Sequence, residues 1–492
     1  MQDLKERTIR GGMAKICSQT ANFVLRTGSL MILARLLEQR DFGLVGMVTA
    51  VIGVLNLFKD FGLSTATVQR TSVTNRQIST LFWINIFVGI VLGSLALAIS
   101  PFLASFYHEP KLVWVTIILG SGFLLNAAGV QHSAILQRQM RFTTLAVIET
   151  ISILISVAVG IGMASLGYGY WALVGMTITP LAVFSTGAWI CAGWIPGWPS
   201  RRAGIRSLIC FGGTITLNGL IVYIAYNLEK VLLGRFWGAE ALGIYGRAYQ
   251  LINIPTENLN SATGGVAFAA LSRVQDDPDR LKSYFLKGYS LILGLTLPIT
   301  IVCSLFADDI ILVLLGPKWN SAAPIFRLLA PTIFAFALIN PTSWLLFSIG
   351  KIARSLKIAM VIAPIVISGY IIGLSHGPQG VALGYSVAMI LWVLPHIAWS
   401  IHGTMISLRN IMQVLSRPLL SGVVAAIMPI LLGHLYGQLF SPVVRLILGG
   451  ALFVSVYMGT LLFIMGQKAL YTDLIRQFFR RSSTRKSAMA ST

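Results

Sequence analysis

Charged side chains are scarce in this chain of 492 residues: Asp, Glu, Lys and Arg together make up 11% of it, and only 16 residues are acidic. Hydrophobic residues make up 55%, and the mean hydropathy is +0.79. A typical soluble domain has about 25% charged residues. The composition therefore excludes a soluble protein with one core, and it predicts an all-α polytopic membrane protein.

Cysteines and catalytic motifs are also sparse. The four cysteines lie in or beside apolar segments without the spacing of metal ligands, which favours small buried hydrophobic residues. The sequence contains no HExxH, GxSxG or P-loop motif. We therefore expect a protein that is not an enzyme, with no catalytic residue, metal site or cofactor, and no ATP-driven step on this chain.

What the sequence does contain is a series of about fourteen apolar runs of roughly 20 residues, the length that crosses a bilayer as a helix. We predict these spans at 14–34, 42–61, 78–100, 112–131, 143–166, 169–190, 208–234, 243–266, 284–305, 325–348, 355–374, 378–400, 414–434 and 441–465.

The basic residues are distributed unevenly around these spans. Of 37 Lys and Arg residues, 27 lie at the N-terminus, in every second loop or in the C-terminal tail. Basic loops stay in the cytoplasm, so we predict an inner or plasma membrane protein with both termini cytoplasmic. Topology also accounts for the net charge of +21, and without an RNA-binding motif we expect no nucleic-acid partner.

Ten basic residues break this pattern. Seven lie in the intervening, outer loops: Arg35, Arg40, Lys111, Lys230, Arg235, Lys318 and Arg445. Three lie inside predicted spans or at their ends: Arg26, Arg247 and Arg327. These exceptions need an explanation other than topology.

The chain also repeats itself weakly. Residues 33–46 (LARLLEQRDFGLVG) match 233–246 (LGRFWGAEALGIYG), and 167–174 (GYGYWALV) match 377–384 (GPQGVALG). Six predicted spans separate the copies, so both insert in the same orientation, as parallel repeats around a binding site. The predicted domains are two six-helix lobes, a pair of extra helices and a basic cytoplasmic tail, at 1–205, 206–408, 409–466 and 467–492.

Six segments in order carry a family resemblance: QRDFGLVGM (39–47), KDFGLSTATVQR (59–70), TLFWINIFVG (80–89), GYGYWALV (167–174), LLGRFWGAEALGIYGRAYQL (232–251) and LGPKWNSAAPIFRLLAP (315–331). They resemble the polysaccharide transporter family of the MATE-like flippase superfamily, in its colanic-acid and teichuronic-acid exporter type.

The resemblance implies a MATE-like flippase of fourteen helices. Its substrate would be a polyprenyl-diphosphate-linked oligosaccharide, moved to the outer leaflet by alternating access for the export of exopolysaccharide, capsule or O-antigen-type polysaccharide. It also implies contact with membrane lipids and with the polysaccharide polymerase and export machinery.

Polar residues inside the first span form one stripe, which includes Asn22 and Arg26. Burying an arginine near the bilayer centre costs at least ~2.5–3.5 kcal/mol, so Arg26 should face a water-filled cavity or an acidic partner. We hypothesise that Arg26 binds the diphosphate. The alternative is a structural ion pair with Glu149 or Glu257.

A corresponding stripe in the eighth span contains Arg247, Gln250, Asn253 and Glu257. Arg247 either binds substrate or reaches the membrane surface, and Glu257 either relays a coupling proton or neutralises an arginine. Glu149 in the fifth span is a further candidate for a polar cavity or coupling residue, and a solvated position near the cytoplasmic end is its alternative. The resemblance adds Lys59, since related lipid-diphosphate flippases use basic residues on helices 1, 2 and 8. A local pair of Lys59 with Asp60 is the alternative.

Two other functions remain open at this point. A cation-coupled multidrug exporter of the same superfamily would use carboxylates in the lobe interiors, whereas this chain has Asn22 and Arg26 in its first span. A membrane-embedded glycan polymerase or ligase would be expected to have a large outer loop, and the outer loops here are short. The sequence therefore favours the lipid-diphosphate flippase.

Overall fold

The structure is a computed structural model that describes residues 2–59, 74–199, 219–436, 440–468 and 471–472. Most of the predicted basic tail and the first part of the seventh predicted span lie outside the described residues. Within the described ranges, the regular secondary structure is entirely helical, which confirms the predicted all-α fold.

Fifteen α-helices have both ends within the described residues. Their bounds are α1 Gln2–Leu36, α2 Gln39–Asn56, α3 Asn75–Tyr107, α4 Leu112–Arg138, α5 Phe142–Ser165, α6 Tyr170–Ala192, α7 Leu228–Arg273, α8 Pro278–Leu305, α9 Ala307–Leu314, α10 Ala322–Leu329, α11 Pro331–Ser348, α12 Ile352–Leu374, α13 Gly377–Ile401, α14 Leu408–Tyr436 and α15 Pro442–Gly459.

The described ranges contain ten helical segments that are long and apolar enough to cross a bilayer. Helices α1, α2 and α7 are not among these ten. In α1 and α7 the predicted polar stripes lower the mean hydropathy. The multi-pass membrane fold is thus confirmed, while the count of fourteen spans stays a prediction.

The chain divides into two compact units. Unit 1 comprises Met1–Gly246, Leu314–Trp319 and Val366–Val381, and unit 2 comprises Arg247–Val313, Asn320–Ile365 and Ala382–Thr492. The lobe and domain boundaries that the internal repeat suggests stay a prediction.

In unit 1, the start of α2 crosses α7 just beyond a kink at Gly238, whose φ of 82° favours glycine. A Cβ on Gly43 would lie 1.6 Å from the carbonyl oxygen of Ala239, and a Cβ on Gly243 would lie 1.9 Å from that of Gln39. Gly43 and Gly243 occupy matching positions in the sequence repeat. Each glycine packs against the backbone of the other helix, so the contact is reciprocal, as at an isologous interface. Glycine at both crossing points lets the two backbones touch.

The seven basic residues of the predicted outer loops all have partners. Lys318 binds Glu38 at 2.7 Å, and Arg40 binds Glu109 at 2.7 Å. Arg235 donates to His108 Nδ1 at 3.1 Å. The remaining four are engaged as well: Lys111 over the Tyr170 ring, Lys230 with Asn227, Arg445 with Asp309, and Arg35. These exceptions to the charge rule are therefore structural.

Unit 2 has its own core, in which α14 and α15 pack on α8. The buried cluster consists of Leu297, Ala425, Phe453, Tyr457 and Leu461. The Tyr457 hydroxyl donates to the Gly294 carbonyl at 2.9 Å. At the other end of α15, Arg445 binds Asp309 of α9 at 2.5 Å. The two C-terminal helices are thus anchored to unit 2 by apolar packing and one ion pair.

The close crossing of α2 and α7 gives a first prediction. Gly43→Ala should destabilise the purified protein by about 1–3 kcal/mol, because the added methyl forces two backbones apart. Gly46→Ala is the matched control, since its Cβ would lie at an ordinary 3.5 Å from the Leu242 side chain. Thermal unfolding measures both variants, and a Gly43→Ala protein that unfolds like wild type would contradict the contact.

The ion pair of unit 2 gives a second prediction. Arg445→Ala should cost about 1.5–3 kcal/mol, because it removes a charge-assisted hydrogen bond from the largely buried Asp309. Arg327→Ala should cost at most about 1 kcal/mol, because Arg327 and its partner Asp308 are both exposed. Equal unfolding temperatures for the two variants would argue against an anchoring role for Arg445.

Candidate functional site

Arg26 differs from the paired basic residues. Its side chain is exposed on α1, and within the described part of unit 1 no carboxylate forms a salt bridge with it. Glu149, one of the two acidic partners considered, is itself exposed on α5 and forms no ion pair with Arg26. An exposed arginine in a spanning helix requires water or an anion beside it, so Arg26 remains available to a ligand.

Asn22 lies one turn before Arg26 and is buried. Its Nδ2 donates to Ser18 Oγ at 3.4 Å, while its Oδ1 has no hydrogen-bond partner in the described structure. Ser18 in turn hydrogen-bonds Thr150 at 2.8 Å and donates to the Ala146 carbonyl at 3.2 Å. This part of the predicted polar stripe holds α1 against α5, and Asn22 keeps one unused acceptor.

Lys59 lies three residues beyond the end of α2 and lines a cavity of about 110 Å³ in unit 1. Helices α2, α4 and α6 form its walls. The other polar lining residues are Thr49, Asn56, Asn126 and Thr177, and no carboxylate is among the lining residues. The Asn126 Oδ1 is buried without a hydrogen-bond partner in the described structure. The cavity is therefore neutral to cationic, with unused hydrogen-bonding capacity.

Unit 2 contains a smaller pocket built on the same pattern. In α7, Thr256, Leu259 and Thr263 repeat the spacing of Thr49, Ile52 and Asn56 in α2; in α11, Ile333, Ala337 and Asn340 repeat that of Leu119, Phe123 and Asn126 in α4. Trp344 adds an aromatic ring, and no charged residue lines this pocket. The two pockets therefore share this spacing of polar and apolar residues, although the pocket residues are not in the register of the sequence repeat, and the lysine lines the unit 1 pocket.

The predicted residues of α7 lie apart from the unit 2 pocket. Arg247 is half-buried and donates to Gln250, Asn253 is half-buried, and Glu257 is exposed. None of these four lines the pocket. Their role as substrate or coupling residues stays a prediction.

The sequence analysis missed one residue, Glu229. Its side chain is completely buried in unit 1. The signal was present, because Glu229 lies inside the predicted span 208–234. A buried acid in a membrane span points to a function.

The fold is shared with solved transporters. A structure titled lipid II flippase MurJ, inward closed conformation, superposes with a TM-score of 0.70 at 14% identity, covering 92% of this chain and 100% of that one. An inward-facing multidrug resistance MATE family transporter of the MOP superfamily gives 0.61 at 14% identity, covering 77% and 93%. The chain thus shares the fold of these two structures.

The sequence comparisons narrow this class. The family model described as polysaccharide biosynthesis protein matches residues 32–324. The lipopolysaccharide biosynthesis protein WzxC of Escherichia coli K12 is 26% identical over 395 residues, 79% of this chain and 80% of WzxC. The teichuronic acid biosynthesis protein TuaB of Bacillus subtilis 168 is 31% identical over 300 residues, 59% and 61% of the two chains. The chain belongs to the polysaccharide biosynthesis protein family, which confirms the predicted resemblance.

A third prediction tests whether the unit 1 cavity is wet. After the four native cysteines are replaced by serine, Asn126→Cys should react with a water-soluble maleimide, because Asn126 lines the cavity. Leu124→Cys is the control: Leu124 is exposed but does not line the cavity, so lipid should shield it from the reagent. The labelled fraction is read by mass shift, and equal labelling at the two positions would exclude a water-filled cavity.

Proposed function

We propose that this protein is a lipid-linked oligosaccharide flippase, which moves polyprenyl-diphosphate-linked repeat units across the cytoplasmic membrane for polysaccharide export. The observation that carries the proposal is Arg26. It is exposed within the predicted first span and has no ion pair in the described part of its unit, whereas the seven outer-loop basic residues are all engaged. A free guanidinium at this depth suits a diphosphate, which accepts two parallel hydrogen bonds from arginine.

The unit 1 cavity supports the same substrate. Lys59 is its charged lining residue, and its other polar groups are amides and hydroxyls, which hydrogen-bond sugar hydroxyls or phosphate oxygens. The cavity is smaller than the roughly 300–1,000 Å³ of pockets that enclose a whole drug-sized ligand. We assign it as a subsite for one polar part of the substrate, with the polyprenyl chain left in the lipid.

The mechanism that we propose is alternating access. The cavity opens first to the cytoplasm, where Arg26 and Lys59 bind the diphosphate, and then to the outer side, where the glycan is released. Both termini are placed in the cytoplasm by the charge distribution. We also propose that the protein contacts membrane lipids. The polysaccharide polymerase and export machinery would then receive the lipid-linked oligosaccharide at the outer leaflet.

The alternatives receive less support. A cationic drug would be repelled by Lys59 and finds no carboxylate among the residues lining either pocket. The relatives do not support a polymerase or a ligase. One of them, 24% identical over 315 residues, is named the succinoglycan biosynthesis transport protein ExoT of Rhizobium meliloti, and its name indicates transport. We therefore propose a transporter without catalytic activity.

The test of this function uses a strain that lacks the gene. We expect a lipid-linked oligosaccharide to accumulate inside the cell and surface polysaccharide to fall, and the wild-type chain to reverse both changes. Unchanged polysaccharide together with altered efflux of cationic dyes would favour the drug exporter instead.

A fourth prediction concerns Arg26 in the same strain. Losing a charge-assisted contact of about 1.5–3 kcal/mol should weaken substrate binding roughly tenfold to hundredfold, so Arg26→Ala should export far less polysaccharide at equal membrane abundance. Arg26→Lys should restore part of the loss, because it keeps the charge but not the paired hydrogen bonds. Arg76→Ala, which removes an exposed charge at the start of α3, is the control. Full export by both Arg26 variants would exclude Arg26 as a ligand.

A further inference from the structure

Glu229 is an acidic residue that the proposed mechanism does not use. It is 0% exposed, and neither carboxyl oxygen has a hydrogen-bond partner of good geometry in the described structure, although the Tyr370 hydroxyl and the backbone N–H groups of Glu229 and Lys230 lie close enough to interact with it. Leaving an ionised carboxylate in this state costs several kcal/mol, whereas the neutral acid loses much less on burial. The surroundings therefore favour a carboxyl group that carries a proton.

Glu229 lies directly after a break in the helix. Residues 219–225 are helical, Tyr226 and Asn227 form a turn, and α7 begins at Leu228. The Asn227 side chain occupies the break: its Nδ2 donates to the Tyr223 carbonyl at 2.9 Å, and its Oδ1 accepts from Lys230 Nζ at 2.6 Å. A break inside a spanning helix is a typical place for a coupling-ion site in transporters.

Three titratable groups face the Glu229 carboxyl. Lys230 attracts it, but the Lys230 ammonium donates to Asn227. The Tyr370 hydroxyl approaches it from α12, and the Tyr223 phenol lies within electrostatic reach on the preceding helical segment. Loss of the proton would place a negative charge among these groups and change the position that each prefers.

Tyr223 connects this carboxyl to the unit 1 cavity. Its hydroxyl donates to the Ala50 carbonyl of α2 at 3.0 Å, and a Cβ on Gly53 would lie 1.7 Å from that hydroxyl oxygen. The same stretch of α2 contributes Thr49, Asn56 and Lys59 to the cavity. A shift of Tyr223 would therefore act on the helix that lines the candidate subsite.

We propose that Glu229 is the proton-binding group that couples this transporter to the proton gradient, and that Tyr223 passes its charge state to α2. The proposal rests on the proposed transport function. A proton from the outer side binds one Glu229 oxygen while the site is open outward, it stays there while the site is closed, and it leaves to the cytoplasm when inward opening hydrates the carboxylate. The structure favours a proton over a metal cation, since Lys230 lies beside the carboxyl, and the described residues contain no group of three or more His, Cys, Asp or Glu that could hold a metal.

The first experiment is infrared spectroscopy of the full-length protein in lipid nanodiscs. At neutral pH the wild type should show a carbonyl stretching band of a protonated carboxyl group, and Glu229→Gln should lose it. Glu240→Gln is the matched control: Glu240 is exposed on the same helix, so its replacement should leave the band in place. Identical bands in wild type and Glu229→Gln would overturn the proton site, whatever the protein transports.

The second experiment tests coupling in the deletion strain. We expect export by the wild-type chain to fall when a protonophore collapses the proton gradient. Glu229→Gln, compared at equal membrane abundance, should lose this dependence. Glu240→Gln should behave as wild type. If Glu229→Gln exports polysaccharide with the full protonophore sensitivity of wild type, Glu229 is not the coupling group. If the wild-type chain restores no export, the proposed function fails while the infrared result still decides the proton site.

Discussion

The close crossing of α2 and α7 at Gly43 and Gly243 is the contact on which much of unit 1 depends. A lipid environment supplies no hydrophobic force between helices, so association relies on close packing, and small residues permit it. The crossing places the start of α2 beside the kink at Gly238. Further along α2, Tyr223 binds the Ala50 carbonyl, and beyond it Asn56 and Lys59 reach the cavity. The position of α2 therefore connects three features of unit 1: the glycine crossing with α7, the buried Glu229 carboxyl and the cavity that Lys59 lines.

Electrostatics separate the basic residues into three groups with different physical roles. Most of them set the topology and are solvated. The partners of the seven outer-loop residues include carboxylates, an amide, an imidazole and an aromatic ring, and these contacts hold the outer connections together. Arg26 belongs to neither group, because it is exposed within a predicted span, and Lys59, which is one of the topology-setting residues, also lines a polar cavity. This contrast supports an anionic substrate independently of the comparisons with relatives.

The sequence was sufficient for the fold class, because hydropathy alone decides which segments enter a bilayer. It also indicated the duplication, since Gly43 and Gly243 occupy matching positions. It could not show that these glycines meet, that the chain bends at Gly238 between the predicted spans 208–234 and 243–266, or that Tyr226 and Asn227 interrupt a span. Those features depend on tertiary packing. The paired pockets escaped notice because threonine and asparagine are common in spanning helices, where they usually bond to neighbouring helices.

The most direct test of the account is a translocation measurement with the purified protein in liposomes. A polyprenyl-diphosphate-linked oligosaccharide is confined to the inner leaflet, and its glycan is probed from outside with a membrane-impermeant glycosidase. The account predicts that the glycan becomes accessible when wild-type protein is present, and much more slowly with Arg26→Ala. If the glycan stays protected in the presence of folded wild-type protein while a cationic dye crosses the membrane, the central claim is contradicted.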